Sequence, residues 1–314
     1  MEKMKSGDVY EVADVVRNLS FKQKEKGLST GEKKMLLNAK QILVSELTPI
    51  EQIEEARQLE HAIWAIDSIP VHQTVSTIRN GGLVLGAYLN GELIGFNYSC
   101  PGYVDGETYL YSHMLGIKRE FRELGVGELI KIYQKEVATA RGYRKCKWTF
   151  DPLEARNGYL NFAKLNAYAN TYIADCYGEM EDSFNHSLPT DRFLVEWQLV
   201  DNDYLRWDAK IEEFLEEAEP LVEWSLSTVG LPMLDKENTF DASISYLKDA
   251  YLIPIPHYFQ KIKIESPPLA EDWRYKTRKI FQTMFEQGYT VVHLTSHNEH
   301  VNQYLIVKRS LFAL

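Results

Sequence analysis

The sequence predicts a mixed α/β fold over residues 42–200, with antiparallel and parallel strands in one sheet. Three observations lead there. Apolar runs of strand length alternate with segments whose apolar residues recur at helical spacing. Asn90-Gly91 joins two such runs, the strongest short hairpin signal in the chain. The stretch "KREFRELGVGELI", residues 118–130, sets Gly125 and Gly127 between an apolar run and the start of a helix.

The elements follow in order. Residues 1–40 are polar and lysine-rich, with Val9, Val12, Val16 and Leu19 at helical spacing. They read as a short amphipathic helix and connector, packing on the main body or on a second subunit of a homodimer. "ILVSEL" from Ile42 reads as a strand. "TPIEQIEEARQLEHAIW" reads as a helix with Thr48 as cap, Pro49 at its first position and Glu51 three after the cap. A second helix covers Val71–Arg79. "GLVLGAYLNGELIGFNYSC" gives two strands and "ETYLYSHMLGIK", 107–118, a third. "GVGELIKIYQKEVATARG" is a helix with Val126, Leu129, Ile130, Tyr133 and Val137 on one face, stopped by Gly142. "KCKWTF" is a strand, "ARNGYLNFAKLNA" a short helix, and "YIADCYG" and "RFLVEWQL" two strands.

Residues 201–235 are acidic and partly helical. Beyond them "AYLIPIPHY" reads as a strand, "PLAEDWRYKTRKIFQTMFEQG" as a long helix, and "YTVVHLTSH" with "QYLIVKRSLF" as a closing hairpin. Residues 201–314 thus form a C-terminal α+β extension. No fixed-period repeat occurs, which excludes a solenoid.

Bulk properties exclude several classes. The 314 residues are 45% hydrophobic, with a formal net charge of −10 and a sequence pI of about 5.4. Without a basic excess or stripe, the chain does not read as a nucleic-acid binder. No apolar run approaches the roughly 18 residues of a membrane span, and the N-terminus lacks a secretory h-region. Cys100, Cys146 and Cys176 are widely separated and odd in number, fitting reduced thiols in a cytoplasm. The expectation is a soluble, cytoplasmic, mildly acidic protein.

Any anionic ligand must then be held by local donors. A P-loop is excluded because no G-K-[ST] follows the glycines, and a dinucleotide fingerprint because Ile130 stands where its third glycine belongs. What remains is R-x-x-G-x-G, Arg122 to Gly127, opening a helix. Glycines there let backbone amides turn toward one point, at the positive end of the helix dipole. A pyrophosphate fits such a nest. Lys118, Arg119 and Arg122 supply local positive charge. A plain glycine turn is the alternative.

"HMLGIKREFRELGVGELI" resembles motif A of the GNAT superfamily of acyl-CoA-dependent N-acetyltransferases, and the element order across 41–200 is similar to that fold. The resemblance covers about half the chain. The string "WTFDPLEARNGYLN…YGEMEDSFNHSLPTDRFLVEW" and the pattern from Trp273 to Tyr289 resemble one bacterial and archaeal branch with a C-terminal extension. That extension's element order also suggests a degenerate half-copy of the first fold. The resemblance implies acetyl-CoA, or another short acyl-CoA, as acyl donor. It implies that the backbone amides from Glu123 through Leu124, Gly125, Val126 and Gly127 to Glu128 bind the CoA pyrophosphate, with Arg122 also in the cofactor site. Leu115 and Ile117 would pair with the pantetheine arm, the Leu115 amide polarising the thioester carbonyl. Asn157 matches an asparagine that contacts the cofactor arm; it also reads as a helix cap.

Strand alternation places Tyr111, His113, Leu115 and Ile117 on one face. His113 then lies two residues from the oxyanion donor, with a near-neutral pKa suited to a general base. Arylalkylamine N-acetyltransferases resemble this stretch, with histidines matching Tyr111 and His113. A hydrogen-bonded core histidine is the alternative. The family's tyrosine acid is replaced by Phe162; Tyr159 and Tyr168 lie near enough to serve instead, or to be ordinary packing. Asp151 follows its strand at the end where α/β sheets bind ligands, to orient His113 or to make a turn before Pro152. Asp191 and Arg192 read as a loop with a solvated ion pair, which the resemblance puts on the acceptor side. His293, His297 and His300 lack the H-E-x-x-H pattern, so no metal is expected. The function so read is transfer of acetyl to a small amine acceptor, with no nucleic acid or membrane partner. A non-catalytic acyl-CoA sensor or assembly module is the alternative.

Overall fold

The computed structural model describes residues 42–65, 67–178, 188–200, 204–235 and 240–311. The helix expected around Val9–Leu19 lies outside these residues. The chain divides into two compact units, one ending at Cys146 and the other beginning at Lys147. Both are mixed α/β, the class expected of residues 42–200.

The first unit is an antiparallel sheet in the order β1 (Ile42–Glu46), β2 (Leu83–Leu89), β3 (Glu92–Val104), β4 (Glu107–Ile117). The β2–β3 hairpin turns at Asn90 (φ 52°) and Gly91 (φ 84°), as the Asn-Gly pair predicts. Asp105 and Gly106 turn β3 into β4 with a matching pair of positive φ values, 53° and 84°. Helices α1 (Ile50–Trp64) and α2 (Val71–Arg79) connect β1 to β2. α1 begins two residues beyond Thr48: Pro49 occupies the cap and its carbonyl accepts from Ile53 N–H at 3.1 Å. Ala56 and Leu59 of α1 pack with Val84, Phe96 and Tyr98 on one face of the sheet. α3 (Val126–Ala140) covers the other, where a Cβ on Gly95 would meet both Ile117 and Ile130. Gly142 (φ 91°) ends its turn as expected.

The second unit starts on β5, whose full span is Lys145–Phe150, and orders its strands β5-β7-β6-β12-β13-β11-β8. These include β6 (Tyr168–Ile173), β7 (Arg192–Gln198), β8 (Glu219–Pro220), β11 (Ala250–Pro256), β12 (Tyr289–Ser296) and β13 (Val301–Lys308). A separate pair is formed by β9 (Trp224–Leu226) and β10 (Pro232–Leu234). β6 starts four residues before the expected "YIADCYG" strand, which instead turns at 174–177. Helices α4 (Ala155–Gly158), α5 (Tyr204–Glu217), α6 (Phe259–Glu265) and α7 (Pro267–Glu286) complete the unit. The α7 stripe is core-facing as read: Trp273, Ile280, Phe281 and Met284 are buried. Phe281 meets Phe193 edge-on, with centroids 4.7 Å apart. The closing hairpin is tied by Asn298 Oδ1, which accepts from His300 N–H at 2.8 Å and Val301 N–H at 2.9 Å.

Candidate functional site

The first unit carries the glycine motif and His113. β4 is not a regular strand. Ser112 pairs with Ser99 and Met114 with Tyr98, so His113 is an extra residue opposite no partner, a β-bulge. The bulge changes the expected alternation. Leu115 and Ile117 pair with Asn97 and Gly95 on the α3 face, whereas the His113 ring lies with Tyr98 and Tyr111 on the α1 face. The four residues therefore do not share one face: an inserted residue reverses the period-2 pattern beyond it.

His113 is exposed, yet its ring stacks on Tyr111 at 6.0 Å and 29° and meets Tyr98 edge-on at 6.2 Å. Partial desolvation lowers its pKa below the usual histidine value of 6.5. It is thus neutral near pH 7 and able to accept a proton. Tyr98 is held by its hydroxyl against Thr77 Oγ1 of α2 at 2.7 Å.

After β4 the chain makes a 3₁₀ turn, Arg119–Phe121, and then the glycine turn. Gly125 sits at the N-cap of α3 with φ 77°, a left-handed conformation that costs any residue with a Cβ. The first helical hydrogen bond runs from Leu129 N–H to Gly125 O at 3.1 Å. The amides of Val126 and Gly127 precede it and have no acceptor within the helix. The Leu124 amide is used inside the turn, donating to Phe121 O at 3.2 Å. Lys118, expected to add positive charge, is paired with Glu92 at 2.5 Å. Arg122 Nε donates to Ile117 O at 3.1 Å, fastening the turn to the strand end.

A cluster of buried polar groups that periodicity did not reveal lies on the α3 face of the bulge. Asn97, Ser99, Ser112, Lys131 and Gln134 are all buried, beside Cys146. Asn97 Nδ2 donates to Ser112 Oγ (2.9 Å) and Met114 O (2.7 Å); its Oδ1 accepts from Ser99 Oγ (2.7 Å) and Gln134 Nε2 (2.8 Å). Lys131 Nζ donates to Ser112 Oγ at 3.2 Å, and burial lowers its pKa to about 8. The signal in the sequence was the placement of Lys131 and Gln134 among the apolar positions of α3.

Asp151, Asn157 and Tyr159 belong to the second unit. Asp151 is committed there: Arg274 grips both its oxygens, with Arg274 Nη1 2.9 Å from Oδ1. Oδ1 also accepts from Leu153 N–H at 2.9 Å, a turn-forming bond. Burial pushes the Asp151 carboxyl up, but the Arg274 guanidinium outweighs it and leaves the pKa below the ordinary value. Asn157 is exposed and stands inside α4, whose cap position is Glu154. Tyr159 opens a π-helical turn, Tyr159–Lys164, and is 46% exposed, with Lys164 over its ring. Phe162 is fully buried, and Tyr168 donates to Glu196 at 3.3 Å. The expected solvated ion pair at Asp191 and Arg192 is absent. Asp191 is buried and accepts from Arg278 at 2.8 and 2.7 Å and Tyr172 at 2.6 Å; the Arg192 guanidinium donates to Asp191 O and lies over Tyr177. His297 and His300 flank the Trp224 ring. Among the described residues no group of three or more His, Cys, Asp or Glu suits a metal ion, and no helix is long and apolar enough to cross a membrane.

Comparison with known proteins yields two kinds of likeness. Residues 1–63 match the family described as "CarD, C-terminal domain". A Bacillus subtilis (strain 168) protein named "Putative transcription factor YdeB" is 50% identical over 54 residues, 17% of this chain and 35% of that protein. The chain thus spans about a third of the length of the curated relative it matches. Among solved structures, the ribosomal-protein-S18-alanine N-acetyltransferase from Escherichia coli is similar with TM-score 0.42 and 12% identity, over 52% of this chain and 97% of that one. Arabidopsis thaliana Naa50 in complex with the bisubstrate analogue CoA-Ac-MVNAL is similar with TM-score 0.40 and 12% identity, over 50% and 97%. An acetyltransferase of the GNAT family from Streptococcus pneumoniae is similar with TM-score 0.40 and 16% identity, over 50% and 98%.

Proposed function

We propose that the chain is an acyl-CoA-dependent acyltransferase that moves acetyl, or another short acyl group, to the amine of a small acceptor. The observation that carries this reading is the bulged, neutral His113 on the strand that leads directly into the R-x-x-G-x-G helix start, both within one compact unit. A strand rises about 3.3 Å per residue, so His113 and the end of β4 stand roughly 13 Å apart. A long extended arm with its reactive group at one end and its phosphates at the other bridges that span; a compact substrate does not.

In the reaction, the acceptor nitrogen attacks the thioester carbonyl carbon and its C–S bond breaks. The amide and free CoA thiol are the products. His113, directly or through a water, takes the proton the amine loses, and the departing thiolate takes one up. The Leu115 amide would stabilise the oxyanion. The amides of Val126 and Gly127 and the positive end of α3 would hold the pyrophosphate. Tyr111 supports the imidazole by stacking. We assign Asp151 to the second unit's ion pair with Arg274 rather than to proton transfer.

The test is titration of acetyl-CoA by calorimetry, followed by thiol release across a panel of amines. His113→Ala is expected to keep acetyl-CoA binding and to lower turnover by about 10²-fold or more. Absence of acetyl-CoA binding to the wild-type chain sinks the reading.

One observation favours a second reading, an acyl-CoA sensor or assembly module: the match of residues 1–63 to the family described as "CarD, C-terminal domain". Under it, acetyl-CoA binds but no amine in the panel releases thiol.

A further inference from the structure

Resting on the acyltransferase reading, we propose that Asn97 is a positioning residue for His113, tying the two flanks of the bulge together from the sheet face opposite the imidazole. An inserted residue interrupts ladder pairing and leaves the strand locally soft. A catalytic base must nevertheless be held to a fraction of an ångström. The two residues either side of His113 are Ser112 and Met114, and the same amide nitrogen, Asn97 Nδ2, donates to both, at 2.9 and 2.7 Å. The carboxamide is held in turn by Ser99 on its own strand and Gln134 on α3, so all its hydrogen-bonding positions are filled. Gln134 Nε2 lies 2.7 Å from Ser99 Oγ and 3.0 Å from Ser112 Oγ, which also accepts from Lys131 Nζ.

An apolar core of the same volume would fill this space at less desolvation cost. It would not hold the Met114 carbonyl, a backbone group whose place sets the bulge. Placement on the far face matters too: the grip reaches His113 through the backbone and leaves the ring free. On its own face the imidazole meets the rings of Tyr98 and Tyr111, with Cys100 paired opposite Tyr111. Behind the sheet the titratable groups include Lys131 and Cys146, with Tyr133 and Lys135 also on α3.

The experiment follows the His113 imidazole by NMR pH titration in the full chain, beside acetyl-CoA turnover. Three variants are compared: Asn97→Ala, Ser112→Ala, and Met284→Ala, a cavity under α7 in the second unit. In Asn97→Ala the His113 titration is expected to move upward, toward the ordinary histidine value, as the loosened ring regains solvent. Its kcat falls about tenfold, while KM for acetyl-CoA changes by less than about twofold. Ser112→Ala removes one of the two grips and gives the same shift to a smaller degree. Met284→Ala lowers the melting temperature and leaves the titration in place. A His113 titration unchanged in Asn97→Ala, or in Ser112→Ala where the first variant does not fold, overturns the proposal. The titration needs no cofactor, so failure of the wild-type chain to bind acetyl-CoA sinks the enzymatic reading and still leaves positioning decided.

Discussion

In the proposed reaction the base is His113, an exposed side chain whose pKa is lowered by desolvation. A base must be unprotonated to act, so the rate rises with pH through its pKa and levels above it. The acid limb of kcat/KM is therefore expected to have its midpoint below 6.5, measurable in a pH series of thiol release. The buried Lys131 titrates in the opposite sense for stability. Its folded pKa of about 8 lies below the free lysine value of 10.5, so the unfolded chain binds more protons and stability rises between those values. Lys131→Met is expected to raise stability at pH 7 by up to about 3 kcal/mol and to remove this part of the rise. The comparison must be made as a difference between variant and wild type. Burial raises the thiol pKa of neighbouring Cys146, which makes stability fall as pH climbs above 9. Lys131 was legible in the sequence only as a charge inside an apolar stripe; the hydroxyl it donates to, on Ser112, comes from β4, 19 residues away in sequence.

Among the elements, the glycine turn and the second unit's ion pair give contrasting tests. Gly125 adopts φ 77°, so Gly125→Ala forces a left-handed alanine at a cost of about 1–2 kcal/mol. The same change misplaces the Val126 and Gly127 amides, and acetyl-CoA affinity is expected to fall about tenfold by calorimetry, equivalent to about 1.4 kcal/mol. In the second unit, Arg274 and Asp151 are both largely removed from solvent. Arg274→Met leaves a buried carboxylate without its counter-charge and is expected to cost about 3–5 kcal/mol in denaturant unfolding. Adding Asp151→Leu should recover much of that loss. Since the Asp151 pKa is depressed below 3.8, its contribution is present above that value and lost as acid protonates it through the lower folded pKa. Hairpins, helices and α7's apolar stripe were legible because turn residues and periodicity are local. The bulge was not, because whether an extra residue stays unpaired depends on the register of the neighbouring strand.

For the whole molecule, a ligand that binds only the folded chain raises its stability by mass action. Acetyl-CoA at about a hundred times its Kd is expected to add about 2.7 kcal/mol, read as an upward shift in melting temperature. NAD should give no such shift, since Ile130 stands where the dinucleotide turn needs its third glycine. The sequence by itself determined the mixed α/β class, most elements, the rejection of the P-loop and dinucleotide motifs, and the glycine turn with His113 just upstream. Each depends on residues within one or two turns of each other. Tertiary structure alone decided which face His113 occupies, that Leu115 and Ile117 lie on the other, and that Asp151 and Asp191 are held by Arg274 and Arg278. The physical reason is separation along the chain. Register, burial and the choice of counter-ion are set by distant partners, 123 residues away for Arg274 and Asp151, and they exist only once the chain has folded.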